Sequence, residues 1–264
     1  MPVIENAMKK KLEAGENVFS FNLVVSRYPA ATWIGKECGF DWLFIDTEHN
    51  SMDLDTVSAL CLSALPIGIT PIVRVPGHEH FHATRALDAG AMGVVVPHVD
   101  TPEQARQVVE NCKFPPLGMR SLTAPVPQLG FEGMAPKDAL PVLNDNTFII
   151  VMVETPEAVD NVDAIAAVEG VDCVLIGSND LAATMGIPGE LGHDRIADAY
   201  AKVIAACEKH GKYPGMGGIY DHALMEKYIK MGARVCQGGG DTALMISAGK
   251  ERTKFLSTLK KAQK

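Results

Sequence analysis

Four polar residues stand where an apolar run ends and a side chain can leave a buried segment for an open site. They are His49 after Ile45-Asp46-Thr47-Glu48, Arg74 after Pro71-Ile72-Val73, Glu154 after Ile150-Val151-Met152-Val153, and Asp180 in Gly177-Ser178-Asn179-Asp180. A glutamate and an aspartate on neighbouring strand ends make the hard-oxygen environment that Mg2+ or Mn2+ takes, with water and substrate completing the shell. Glu154 and Asp180 fit that description, and each equally fits a solvated carboxylate capping the next helix. His49 has the chemistry of a general base, or of a ring held by hydrogen bonds at a rim. Burying the Arg74 guanidinium demands an anion. That anion is either a substrate carboxylate or an internal partner, with Asp46, Glu48 and Asp88 the candidates. Asp88, in Ala86-Leu87-Asp88-Ala89-Gly90, ends a helical pattern, where the helix dipole disfavours negative charge without a compensating group. A histidine would compensate; a surface position before a glycine cap is the plainer alternative.

Two other clusters invite chemistry. His78, His80 and His82 look like a metal cluster, but helical residues two apart face different ways, so they are read as surface residues. The run Gln237-Gly238-Gly239-Gly240-Asp241 could cradle a phosphate with freed backbone N–H groups, or could serve only a close approach of backbone or loop geometry.

The elements that must position these residues repeat. Apolar, β-branched segments lie near Val18 to Val24, Trp42 to Asp46, Thr70 to Arg74, Gly93 to Pro97, Phe148 to Glu154, Asp172 to Ile176, Tyr213 to Gly217 and Arg234 to Gln237. Most are followed by a stretch of helical periodicity, which is the pattern of repeated βα units. Their near-continuous hydrophobicity suits parallel strands covered on both faces. An α/β fold follows, a (β/α)8 TIM barrel formed as one domain over residues 1–264, whose chemistry collects at the C-terminal ends of the strands. Helix starts are marked by Asp55-Thr56, Thr101-Pro102-Glu103 and Thr155-Pro156-Glu157. Residues 113–146, rich in Pro and Gly, break the rhythm as an excursion of the kind that covers an active site or meets another subunit.

Composition narrows the function. A formal charge of -8 argues against nucleic acid or an anionic membrane as partner, while leaving room for a small anion bound by one arginine. No apolar stretch approaches the roughly 20 residues that span a bilayer, and the polar, lysine-bearing start is unlike a signal peptide, so a soluble cytoplasmic protein is expected. The six cysteines lack a C-x-x-C pair and are read as small core residues.

Taken together, Gly39-Phe40-Asp41-Trp42-Leu43-Phe44-Ile45-Asp46-Thr47-Glu48-His49, Val73-Arg74, Leu87-Asp88-Ala89-Gly90-Ala91, Val153-Glu154-Thr155 and Gly170-Val171-Asp172 through Asp180-Leu181 resemble the HpcH/HpaI aldolase family across nearly the whole chain. The resemblance implies a barrel of the phosphoenolpyruvate/pyruvate type and a class II, divalent-metal-dependent aldolase. Such an enzyme reversibly cleaves 4-hydroxy-2-oxo acids to pyruvate, or a related 2-oxo acid, and an aldehyde. It implies Glu154 and Asp180 as ligands of Mg2+ or Mn2+, with Co2+ and Zn2+ also accommodated, and Arg74 as the group that binds and polarises the 2-oxo acid. Gly177, Ser178 and Asn179 would line the substrate. His49, with Asp88 fixing its tautomer, would take the C4 hydroxyl proton through a water. The metal would stabilise the enolate, and no Schiff-base lysine is needed. A homo-oligomer, a hexamer built as a trimer of dimers, is implied as well.

The chain departs from the family pattern at Met152, where many members have Gln, at Ser178, where Pro is usual, and at Ser121, where Gly follows the arginine. These changes alter polarity and loop stiffness near the metal and leave the donor acid open. Two rival readings are a CoA-ester lyase of the citrate-lyase-β type, which needs a basic cleft, and a silent barrel that only binds a 2-oxo acid.

Overall fold

The computed structural model describes residues 3–123 and 125–259. Eight parallel strands close into one barrel in sequence order: β1 (Val18–Leu23), β2 (Trp42–Asp46), β3 (Thr70–Arg74), β4 (Gly93–Val96), β5 (Phe148–Val153), β6 (Cys173–Gly177), β7 (Tyr213–Gly217) and β8 (Val235–Gly240), which pairs back to β1. Helices alternate with the strands, so the expected (β/α)8 barrel is observed.

The continuous apolar character of the strands has a direct cause. Residues facing inward, among them Phe44, Ile72, Val95, Ile150, Met152 and Leu175, fill the barrel, while their neighbours Ile45, Val73, Val94, Val151 and Ile176 pack outward beneath the helices. The helix Ala7–Glu13 closes the floor. It sends Met8 and Leu12 into the inner cluster, and its N-cap residue Asn6 donates to the Met92 carbonyl at the start of β4. Each of those two side chains, being fully buried, contributes about 1.5–3 kcal/mol.

Local signals act as read, with one shift. Thr101 caps Pro102–Cys112 in a complete capping box with Gln104, and Thr155 caps Pro156–Asp160. The helix Leu54–Ala64, however, is capped by Asp53, whose side chain accepts from the Thr56 N–H, rather than starting at Asp55.

Residues 113–146 are not a mouth cover of this barrel. They include the helix Pro136–Asn146 and build a small core of Phe114, Val126, Leu129, Ala139 and Leu143. The segment is stitched to the floor: Gln128 donates to the carbonyls of Leu87 and Ala91, and the Asn6 N–H donates to Asn146. It starts from the C-terminal end of a barrel helix, which is necessarily at the floor, because each helix returns antiparallel to its strand. Among the cysteines, five are buried as expected and Cys38 is exposed. No described helix is long and apolar enough to cross a membrane.

The last helix, Asp241–Ser257, buries only Asp241, leaving Leu244, Met245, Ile246, Phe255 and Leu256 exposed.

Candidate active site

A cleft of about 380 Å3 opens at the C-terminal ends of the strands. It is lined by residues of both strand ends and following loops, including Asp46, His49, Arg74, Met152, Gly177, Ser178, Asn179 and Asp180.

Its buried cation is Arg74. Asp46 and Arg74 are register partners at the ends of β2 and β3, so their side chains leave the barrel side by side. The guanidinium donates through Nε to Asp46 Oδ1 at 2.9 Å and through Nη2 to Oδ2 at 2.6 Å, and its Nη1 lies 2.9 Å from Glu48 Oε2. Phe44 stacks beneath it, 5.1 Å from the ring centroid. Of the partners weighed from sequence, Asp46 and Glu48 are therefore the internal ones and Asp88 is not. Asp46 also accepts the backbone N–H groups of Glu48 and His49. Burial alone would raise its carboxyl, but the Arg74 hydrogen bond and charge, reinforced by those N–H groups, hold it below the usual carboxylate range. A single aspartate thus fixes both the arginine and the turn that delivers His49 to the mouth.

His49 is exposed, and the carboxylate beside it is Glu48, 3.8 Å from Nε2. The expected His49–Asp88 dyad is not formed within this chain. Asp88 ends the helix His80–Asp88 at the floor side of the barrel, where Arg120 donates to it at 2.7 Å. The dipole conflict at that helix end is thus relieved by an arginine from the floor segment rather than by a histidine. Arg120 in turn stacks over Phe114, with its guanidinium carbon 4.6 Å from the ring centroid.

Glu154, just past β5, is almost completely buried, and its Oε1 accepts from the backbone N–H of His98 at 2.8 Å. The His98 ring lies on the same oxygen, Nδ1 at 3.0 Å, and its Nε2 faces Glu48 Oε1 at 3.4 Å. Burial pushes the Glu154 carboxyl above its usual range, His98 draws it back, and the charges of Asp180 and Glu48 push it up again. Burial is the main cause, and the neighbouring carboxylate charges add to it. A hard divalent cation would relieve it, so the donor set fits such an ion. Among the described residues no group of three His, Cys, Asp or Glu side chains is arranged to hold a metal, so the fit rests on the Glu154–Asp180 pair completed by water and substrate. His78, whose Nε2 lies 2.7 Å from the Pro97 carbonyl, and exposed His80 take no part.

Gly177, Ser178 and Asn179 line the cleft as expected. Ser178, however, directs its hydroxyl to Tyr200, 2.8 Å away, which is itself stacked on Tyr228 at 3.9 Å between centroids. Where the family has a rigid proline, this chain secures the turn with a buried hydrogen bond. Met152 adds an apolar side chain to the cleft wall.

Nothing in the sequence analysis singles out His98, Asn22 or Tyr220, and Gln237 enters it only as the start of the glycine run. His98 follows β4 directly, in the same strand-end position as the others. Asn22, Tyr220 and Gln237 form a polar wall across the barrel from Arg74. Asn22 Nδ2 donates to the Tyr220 hydroxyl at 2.9 Å, and that hydroxyl donates to Gln237 Oε1 at 3.1 Å. The Gly218 N–H also donates to Oε1, at 3.0 Å, which leaves the Gln237 amide nitrogen to face other partners. A search of every strand end, rather than of charged ones alone, finds all four.

The glycine run is no phosphate cradle. Gly238–Gly240 belong to β8, and a side chain at Gly238 would strike the Ser20 carbonyl and Phe40. The Asp241 carboxylate accepts the N–H groups of Val24, Val25, Ser26 and Thr242, so the local donors already hold an anion of the chain's own.

The pattern of the HpcH/HpaI aldolase/citrate lyase family matches residues 24–248. The chain is 37% identical over 231 residues to the 4-hydroxy-4-methyl-2-oxoglutarate aldolase tasA of Hapsidospora irregularis, covering 86% of this chain and 85% of that one. It is 33% identical over 261 residues to the 5-keto-4-deoxy-D-glucarate aldolase of Shigella boydii, covering 99% of each. The crystal structure of an HpcH/HpaI aldolase from Desulfitobacterium hafniense superposes with a TM-score of 0.89 at 31% identity, over 97% of this chain and 98% of that one.

Proposed function

Because this chain belongs to the HpcH/HpaI aldolase/citrate lyase family, we propose that the cleft binds a 2-oxo acid between Arg74 and the Glu154–Asp180 pair and that His49 moves the proton of the aldol step. The chain is a carbon–carbon lyase of the aldolase type, as its relatives are. The observation that carries the residue-level reading is that Arg74, His49 and Asp180 line one cleft, while Glu154 abuts its Gly177 wall.

Glu154 and Asp180 would hold Mg2+ or Mn2+, which supplies positive charge against the oxyanion that develops as the C3–C4 bond breaks. Arg74, steadied by Asp46 and Glu48, presents its remaining N–H groups to the acid. His49 takes the C4 hydroxyl proton on cleavage and returns it on condensation. Among the described residues no lysine lines the cleft, consistent with a route that forms no imine. Arg74 is the one arginine lining the cleft among the described residues, which suits a small carboxylate better than the polyphosphate of a CoA ester.

The substrate is a 4-hydroxy-2-oxo acid, released as pyruvate or a close 2-oxo acid, in a barrel of the phosphoenolpyruvate/pyruvate type. The apolar residues exposed on the last helix support association with further copies of the chain, in our reading a homo-oligomer built as a trimer of dimers. The test is pyruvate release from a racemic 4-hydroxy-2-oxo acid by chelator-treated enzyme before and after Mg2+ or Mn2+ is restored. Release that returns with the metal is expected; none under either condition would overturn the reading.

A further inference from the structure

His98 has a backbone that side chains rarely adopt. Its φ is +54°, in the left-handed region that costs a residue with a Cβ, and it stands at the end of β4 facing the metal carboxylates. That conformation lets the backbone N–H donate to Glu154 Oε1 at 2.8 Å and sets ring Nδ1 within 3.0 Å of the same oxygen. The other end of the ring is anchored near Glu48 Oε1 at 3.4 Å, and Glu48 is itself held 2.9 Å from Arg74 Nη1. The second carboxylate oxygen of Glu154, Oε2, has no hydrogen bond among the described residues and lies against Gly177, where any Cβ would collide with it. Gly177 opens the short helix that carries Asp180.

We infer that His98 is a positioning residue for the metal site: it ties up Oε1 of Glu154 so that Oε2 alone is presented, on the Gly177 side, toward the ion shared with Asp180. The inference rests on the reading of Glu154 as a ligand. A carboxylate with two free oxygens samples rotations about its last bond, and holding one oxygen with the backbone N–H and the ring packed beside it removes that freedom before an ion arrives. The strained backbone has a purpose on this account, because an extended residue at this point could not aim its N–H and its ring at the same atom.

The experiment separates the ring from the backbone N–H and separates this inference from the site assignment. Mn2+ affinity is measured by titration calorimetry on the full-length protein as wild type, His98→Gly, His98→Asn, Glu48→Gln and Glu154→Gln, with thermal midpoints as a check of folding. Glycine tolerates the left-handed backbone and keeps the N–H, so His98→Gly tests the ring alone. Asparagine also tolerates that backbone and restores a shorter donor. The expected result is a 10- to 100-fold rise in the Mn2+ Kd for His98→Gly. Partial recovery is expected in His98→Asn, with an unlowered thermal midpoint for His98→Gly. Glu48→Gln, which weakens the ring's far anchor, raises the Kd by a smaller factor. Wild-type Mn2+ affinity retained by His98→Gly would overturn the inference while leaving the site in place. Wild-type Mn2+ affinity retained by Glu154→Gln would overturn the site assignment, and the inference with it.

Discussion

Asp46 and Arg74 meet in a two-point pair, Nε to Oδ1 at 2.9 Å and Nη2 to Oδ2 at 2.6 Å, at matched positions on β2 and β3. Asp46→Asn removes the charge that balances the buried guanidinium. A loss of about 3 kcal/mol in unfolding free energy is expected. The KM for the 2-oxo acid should rise as well, because the same side chain aims Arg74. The folded-state carboxyl of Asp46 lies below its usual value, so its stabilising contribution is complete above the unfolded pKa and disappears as pH falls through the folded one. The acid limb of a stability curve should accordingly be shallower in Asp46→Asn than in wild type below about pH 4. Parallel acid limbs in the two proteins would refute the assignment.

Gly177 adopts φ −81°, which any residue tolerates, so only space forbids a side chain there. Gly177→Ala places a methyl on Glu154 Oε2. Metal affinity should weaken by at least about 10-fold while far-ultraviolet circular dichroism stays unchanged. An unaltered Mn2+ affinity would show that the oxygen facing Gly177 does not hold the ion.

His49→Ala should reduce aldol turnover by roughly two to four orders of magnitude if His49 is the base. Metal affinity should be retained, since the residue touches neither Glu154 nor Asp180. Turnover within a few-fold of wild type would move the proton to another group.

Tyr220 is linked to Asn22 and Gln237 in the wall opposite Arg74. Tyr220→Phe breaks both links while leaving the apolar body in place. The ratio of kcat/KM for glycolaldehyde over propionaldehyde as acceptors in the condensation direction should fall, by about 10-fold for one lost hydrogen bond to a substrate hydroxyl. An unchanged ratio would mean that the wall does not touch the acceptor.

The barrel was readable because its strands are covered on both faces, and Ile149-Ile150-Val151 can hardly be anything but a buried strand once a helix is excluded by length. β8 ended too early in the sequence reading, at Gln237, because Gly238–Gly240 carry no side chains to signal a strand although their backbone pairs with β1. Glu154, Asp180, Arg74 and His49 were found from their strand-end positions, and all lie in or against the cleft. Asp88 has a partner within the chain that the sequence does not announce. Its partner Arg120 stands 32 residues away in a loop whose path no periodicity encodes. His98 lies just past the segment Gly93 to Pro97 with no pattern of its own, and nothing in a sequence announces a left-handed backbone at a histidine.

The helix Ala7–Glu13 makes the barrel a vessel with one opening. With Met8 and Leu12 stoppering the floor, everything that reacts must enter and leave past His49 and Tyr220. On the proposed reading, a 2-oxo acid seated at the depth of Arg74 would lie behind the aldehyde, so the aldehyde should depart first in cleavage and arrive last in synthesis. Traffic through a single door would then impose an ordered kinetic scheme, and product inhibition of cleavage is expected to be competitive for the 2-oxo acid and not for the aldehyde.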